Sequence, residues 1–157
     1  MLRLAGAALL AMAVSTPAYA SDWYFVAAAK DQSIVSFVDK DSISDIGGGK
    51  MRASMFSLFA DPKDDAEAYR FEIEIDCNGR RSRLVGYEIF DSAHQMTGKN
   101  SLDNEWQGIE AGSPGETVAA FICGKGKLGP DNEAAGAELP FDKARAMIDA
   151  RAKRNAK

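Results

Sequence analysis

The chain has 157 residues, of which 46% are hydrophobic and 27% charged, with 19 basic residues against 23 acidic ones and a formal net charge of −4. That length suits one domain with its own core, and the acidic balance argues against a protein built to hold nucleic acid or an anionic membrane surface. Two cysteines and one histidine leave little material for a metal or redox centre, and no cofactor is implied.

The first 20 residues read as a secretory leader. Arg3 supplies a basic start, residues 4–14 form an apolar run, and Ala18-Tyr19-Ala20 is the small-x-small pattern that signal peptidase cuts after. The run is far shorter than the roughly 20 residues needed to cross a bilayer. No cysteine adjoins the cut, so a lipoprotein is not expected. The expected product is an exported, soluble chain, periplasmic or secreted, with no membrane span. Removing 20 of the 157 residues leaves 137, and losing Arg3 leaves 18 basic against 23 acidic residues, or −5.

Strand patterns fill the next two thirds. Residues 23–29 are aromatic and small-apolar, and residues 33–39 (SIVSFVD) are rich in β-branched side chains. Gly47-Gly48-Gly49 punctuates before a third strand over residues 51–60, and Asp61-Pro62-Lys63-Asp64-Asp65 is a turn cluster. The fourth strand is the clearest. Tyr69, Phe71, Ile73, Ile75 and Cys77 share one parity and Arg70, Glu72, Glu74 and Asp76 the other, which predicts a buried apolar face and a wet charged one. One wet face favours antiparallel over parallel pairing. Asn78-Gly79 is a hairpin dipeptide, and residues 81–92 return as a fifth strand with Val85, Tyr87 and Ile89 on one face.

After residue 100 the period changes. Ser113-Pro114-Gly115-Glu116 offers an N-cap hydroxyl, proline at the first helical position and glutamate at the third. Val118, Phe121 and Ile122 follow at helical spacing, and Gly124 stands at the C-cap. Residues 124–138 read as a linker. A second helix over residues 141–154 carries Phe141, Ala144 and Ile148 on one stripe. The expected class is α+β: an antiparallel meander of five to six strands, a short helix on one face and a C-terminal helix. Three segments are expected: a leader over residues 1–20, a sheet domain over 21–124, and a linker with helix over 125–157.

Cys77 lies on the buried parity of the fourth strand and Cys123 at the end of the first helix, so a disulfide between them pins that helix across the sheet. The competing reading, a reactive or metal-binding pair, lacks Cys-x-x-Cys spacing and histidine partners. His94, in a turn after the fifth strand, has no Gly-x-Ser-x-Gly serine to activate. Residues 39–45 begin like a calcium loop, but Ile43, Ser44 and Lys50 stand where an oxygen ligand, a glycine and a glutamate are required. Glu72 and Glu74, about 7 Å apart by strand rise, read as ordinary surface charges.

Trp23, Val38-Asp39 with Ser42, Asp76-Cys77 with Arg80-Arg81, Tyr87, Trp106, Ser113-Pro114-Gly115 and Cys123 occur in an order that resembles the bacterial surface-adhesin protein E family. The resemblance spans roughly residues 22–124 and implies an antiparallel sheet with a helix laid on it, with Trp106 in the core. It also implies a non-enzymatic module that binds a protein partner, a host matrix or envelope protein. The absent lipid-anchor cysteine and the additional segment over residues 125–157 depart from that pattern. Two alternatives stand beside this reading: a structural envelope protein without a dedicated ligand, and a small periplasmic enzyme. The candidate binding surface is the polar strand face with Arg70, Glu72 and Glu74, together with the loop residues Asp64 and Asp65. No catalytic or metal-binding residue is expected, and the oligomeric state is open.

Overall fold

The computed structural model describes residues 20–31 and 33–155; apart from Ala20, the expected leader lies outside them. Its framework is an antiparallel meander. β1 (Trp23–Ala28) pairs with β2 (Ile34–Asp39), a 3-10 turn (Lys40–Ser42) follows, and β3 (Ser44–Gly47) forms a small hairpin with β4 (Lys50–Lys63). β4 continues into β5 (Ala66–Asp76), β6 (Arg81–Phe90) and β7 (Met96–Ser101). A short β8 (Gln107–Gly108) pairs with the start of β6. The helix α1 (Pro114–Cys123) comes next, then β9 (Ala134–Gly136) and the helix α2 (Phe141–Asn155). The sheet order is β7-β6-β5-β4-β2-β1-β9, with β3 on β4 and β8 on β6 as side branches.

The expected class and the two helices stand, with nine strands among the described residues because short pairings join the meander. β9 forms inside the segment read as a linker and hydrogen-bonds along β1. Three residues with two alanines carry no strand period, so only the neighbouring edge makes them a strand. The turn cluster is narrower than expected. β4 runs to Lys63, and Asp64 and Asp65 alone turn the chain, both at positive φ (53° and 61°), as a two-residue hairpin needs. At Asn78-Gly79 the left-handed residue is Arg80 (φ 49°), not the glycine. Gly79 serves close approach: its N–H donates to Asp76 Oδ1 at 2.8 Å, and a Cβ there would stand 2.4 Å from Asp76 Oδ2.

Both faces of the sheet carry a core. On β4 the odd residues Met51 and Ala53 join Val26, Val38, Ile73 and Ile75 under α1, whose Val118, Phe121 and Ile122 point inward. The even residues Phe56 and Leu58 join Trp23, Phe25, Val35, Phe37, Ala68 and Phe90 under Phe141, Ala144 and Ile148 of α2. Because alternate strand residues face opposite ways, the two helices sit on opposite sides. Ser113 caps α1 as expected, its Oγ accepting from the Glu116 N–H at 3.2 Å. Cys77 and Cys123 are disulfide-bonded with Cα atoms 5.9 Å apart, tying α1 to the end of β5.

The alternation along β5 needs correction. Of its charged residues only Glu72 is exposed, whereas Glu74 and Asp76 are buried. The strands on either side supply arginines that cover them. On the other parity, Tyr69 and Phe71 are only half-buried, since α1 covers just the Ile73–Ile75 end. On β6 a bulge at Val85 shifts the register between Gly86 and Leu84, so Leu84 joins the α1 core, and Phe90 rather than Ile89 enters the α2 core.

Candidate functional site: a polar trough on the α2 face

The face that α2 covers at one end is left polar and open at the other. Three rows of residues cross the strands there in register. The first is Arg52 on β4, Glu74 on β5 and Arg83 on β6. The second is Ser54, Glu72, Gly86 and, on β7, Ser101. The third brings Arg70, Glu88 and Lys99 side by side. Small side chains at Ser54, Gly86 and Ser101 make the middle row a trough between two charged ridges. The depression encloses about 440 Å³ and is closed at one end by Asp39, Ser42 and Ser44 and at the other by Lys99 and Ser101.

Each ridge is a charge sandwich. Glu74, 2% exposed, accepts from Arg52 Nη2 at 2.5 Å and from Arg83 Nε at 2.8 Å. Burial alone pushes the Glu74 carboxyl up, and the hydrogen bonds from Arg52 and Arg83 more than reverse it, so its pKa is lowered. Glu88 behaves alike: burial raises it, and Arg70 at 2.6 Å with Lys99 at 3.1 Å brings it below the ordinary value. Both carboxylates are therefore ionised acceptors at neutral pH, engaged by cations on two sides. Glu72 differs: its side chain is 52% exposed and its one ion pair among the described residues is with Arg52 Nη1 at 3.6 Å, so it opens onto the trough floor.

The end wall is built by short polar residues. Asp39 accepts from the N–H groups of Asp22 (2.8 Å) and Asp41 (3.1 Å). Ser42 Oγ donates to the Asp39 carbonyl at 2.6 Å and accepts from the Ser54 N–H at 2.8 Å, which locks the 3-10 turn against β4. Residues 39–45 are thus a strand end, a turn and a hairpin strand.

Of the expected surface, Arg70 and Glu72 line the trough, and Glu74 lies beside it, buried beneath two arginines. Asp64 and Asp65 are exposed at the β4–β5 tip. Leu58 and Ala68, under α2, lie between that tip and the trough, so the loop and the face do not meet. Sequence reasoning missed Arg52, Arg83, Glu88 and Lys99. The alternation of Met51-Arg52-Ala53 was the available signal for Arg52, but the others depend on strand register.

Trp106 corrects an expectation. It is half-buried outside both cores, its ring over the guanidinium of Arg83 at 4.9 Å. The pairing of Gln107 and Gly108 with β6 holds it there, a constraint no local pattern announces. His94 is exposed, at φ 59°, and its ring stacks on Phe141 at 4.0 Å. Among the described residues no helix is long and apolar enough to cross a membrane.

Neither the curated proteins nor the solved structures contain a match. The family model for surface-adhesin protein E matches residues 23–124, from the first residue of β1 to the residue after α1. With about two thirds of its length in that match, the chain belongs to the surface-adhesin protein E family.

Proposed function

We propose that the protein is an exported, non-enzymatic binding module whose contact surface is the polar trough of the α2 face, and that its partner is a protein of the host matrix or the cell envelope. The observation carrying this reading is the division of one sheet face into an apolar half under α2 and an open half whose middle row is small. Rigid strands hold the trough, and its ridges present paired donors and acceptors without a group poised for proton transfer. His94 lies elsewhere, stacked on Phe141. Family membership and the disulfide support export.

Pull-downs from envelope extracts and from matrix proteins test the proposal at low and moderate salt. The wild-type protein captures a partner more weakly as salt rises. Glu72→Lys and Ser101→Lys, which reverse the exposed carboxylate and fill the trough, abolish capture while leaving the fold intact. Capture that persists through both substitutions moves the binding surface elsewhere. Turnover of a substrate that is lost on His94→Ala defeats the non-enzymatic reading.

A further inference from the structure

Beyond the trough, at the end of the face farthest from α2, lies a second cluster. Lys50 on β4 stands opposite Asp76 on β5, which stands opposite Arg81 on β6; the next row along is Arg52, Glu74 and Arg83. Trp106 lies over this corner, with its ring centroid 4.9 Å from the Arg83 guanidinium carbon, 5.9 Å from that of Arg81 and 6.0 Å from Lys50 Nζ. Glu74 and Asp76 are buried beneath, while Arg52 and Arg81 are more than two-fifths exposed and Arg83 nearly one-third. The charge is layered, carboxylates inward and cations with the indole outward. Four cations stand over two buried carboxylates, and Glu72 reaches Arg52 from the trough side at 3.6 Å. Lys50, opposite Asp76, has no ion pair within 4 Å among the described residues, which leaves one cation more than the carboxylates. In a chain of net charge −4 this is a local positive surplus.

We propose that the Trp106 corner receives an extended acidic segment of a partner polypeptide, with carboxylates at alternate positions. Lys50 and Arg52 are two residues apart on one strand, as are Arg81 and Arg83 on another. Strand rise puts each pair about 7 Å apart, the spacing between alternate side chains of any extended chain. Glutamates or aspartates at every second residue therefore meet one column of cations in register. Exposed guanidinium edges offer forked donors to carboxylates, and Trp106 supplies a flat wall at the same corner. A long polyanion such as nucleic acid is disfavoured, because the acidic remainder of the surface repels it. This proposal rests on the reading of the protein as a binding module and shares with the trough only the ridge of Arg52 and Arg83; Lys50, Arg81 and Trp106 lie outside it.

Two measurements on the full exported chain test it. Trp106 is half-buried and the other tryptophan, Trp23, is 2% exposed, so collisional quenching reports on Trp106. Relative to free N-acetyltryptophanamide, the ratio of iodide to caesium quenching rises if the corner is positive; a ratio equal to or below that of the free indole overturns the proposal whatever the variants do. In the second, a short peptide of alternating glutamate and threonine is titrated at low ionic strength. It binds with a change in Trp106 emission, more tightly than a peptide with the same glutamates in one block. Lys50→Gln weakens it about two- to fivefold, the range of an exposed ion pair. Equal affinity for the two peptides, indifference to Lys50→Gln, or binding of heparin but not of the peptide overturns the proposal. If partner capture falls with Glu72→Lys while the alternating peptide fails to bind, the trough reading stands and this one fails.

Discussion

Phe56 of β4 and Phe141 of α2 meet edge to face with ring centroids 4.9 Å apart, so a residue beyond the family-matched region completes the core over the central strand. Phe90 and His94 approach the same ring, at 5.5 Å and 4.0 Å. Without α2, Trp23, Phe25, Phe37, Phe56, Leu58 and Phe90 would present an apolar sheet face to water. The additional C-terminal segment thus covers a face of the sheet as well as following it.

Phe141→Ala is therefore expected to cost about 3–5 kcal/mol, the usual range for truncating a buried phenylalanine. Asp149→Ala, on the exposed side of the same helix, should change stability by less than about 0.5 kcal/mol. Urea denaturation of the two variants measures both. A loss below about 1 kcal/mol for Phe141→Ala would mean that α2 contributes little to the fold.

The disulfide between Cys77 and Cys123 holds α1 against the opposite face. Replacing either cysteine with serine should cost about 2–5 kcal/mol, as for a native bridge in a small secreted domain. A non-reducing peptide map should recover the two cysteine peptides linked; recovery of both as free thiols contradicts the bridge.

Export should remove residues 1–20 and leave Ser21 as the first residue. Such a cut keeps β1 and its partners in the mature chain. The Asp22 N–H donates to Asp39 at 2.8 Å, and Trp23, 2% exposed, opens β1. Intact mass of the exported protein decides this. A mass that retains the leader, or one that carries a lipid adduct, contradicts it.

Local signals were enough for the elements that are locally encoded. Alternation revealed β5, Ser113-Pro114 with Gly124 bounded α1, and the Phe141, Ala144, Ile148 stripe located α2. The same signals failed where a distant strand decides. Glu74 reads as a solvent charge until Arg52 and Arg83 arrive from the strands on either side. β9 and the seat of Trp106 exist only because β1 and β6 have edges to pair with. The bulge at Val85, which turns Leu84 into a core residue, leaves no mark on the parity of β6. Of the candidate site, the face was legible from β5 alone, but its trough and ridges emerge from cross-strand register.

The two ridges and the neighbouring Asp76 make stability depend on acid in a defined direction. The pKa of Asp76 is lowered first by the hydrogen bond from Arg81 and then by the Gly79 N–H. Burial raises those of Glu74 and Glu88, and their cationic partners bring both below the ordinary value. A carboxyl whose pKa is lower folded than unfolded binds fewer protons in the folded state. Its contribution is complete above the unfolded value of about 4 and disappears as pH falls through the folded one. Urea midpoints should therefore hold steady from neutral pH to about pH 5 and then decline steeply. Glu74→Gln should lower the midpoint at neutral pH, because Arg52 and Arg83 lose their shared counter-charge, and should flatten the acid decline, because one linked proton is gone. An acid decline as steep in Glu74→Gln as in the wild type would mean that the buried carboxylate does not carry this dependence.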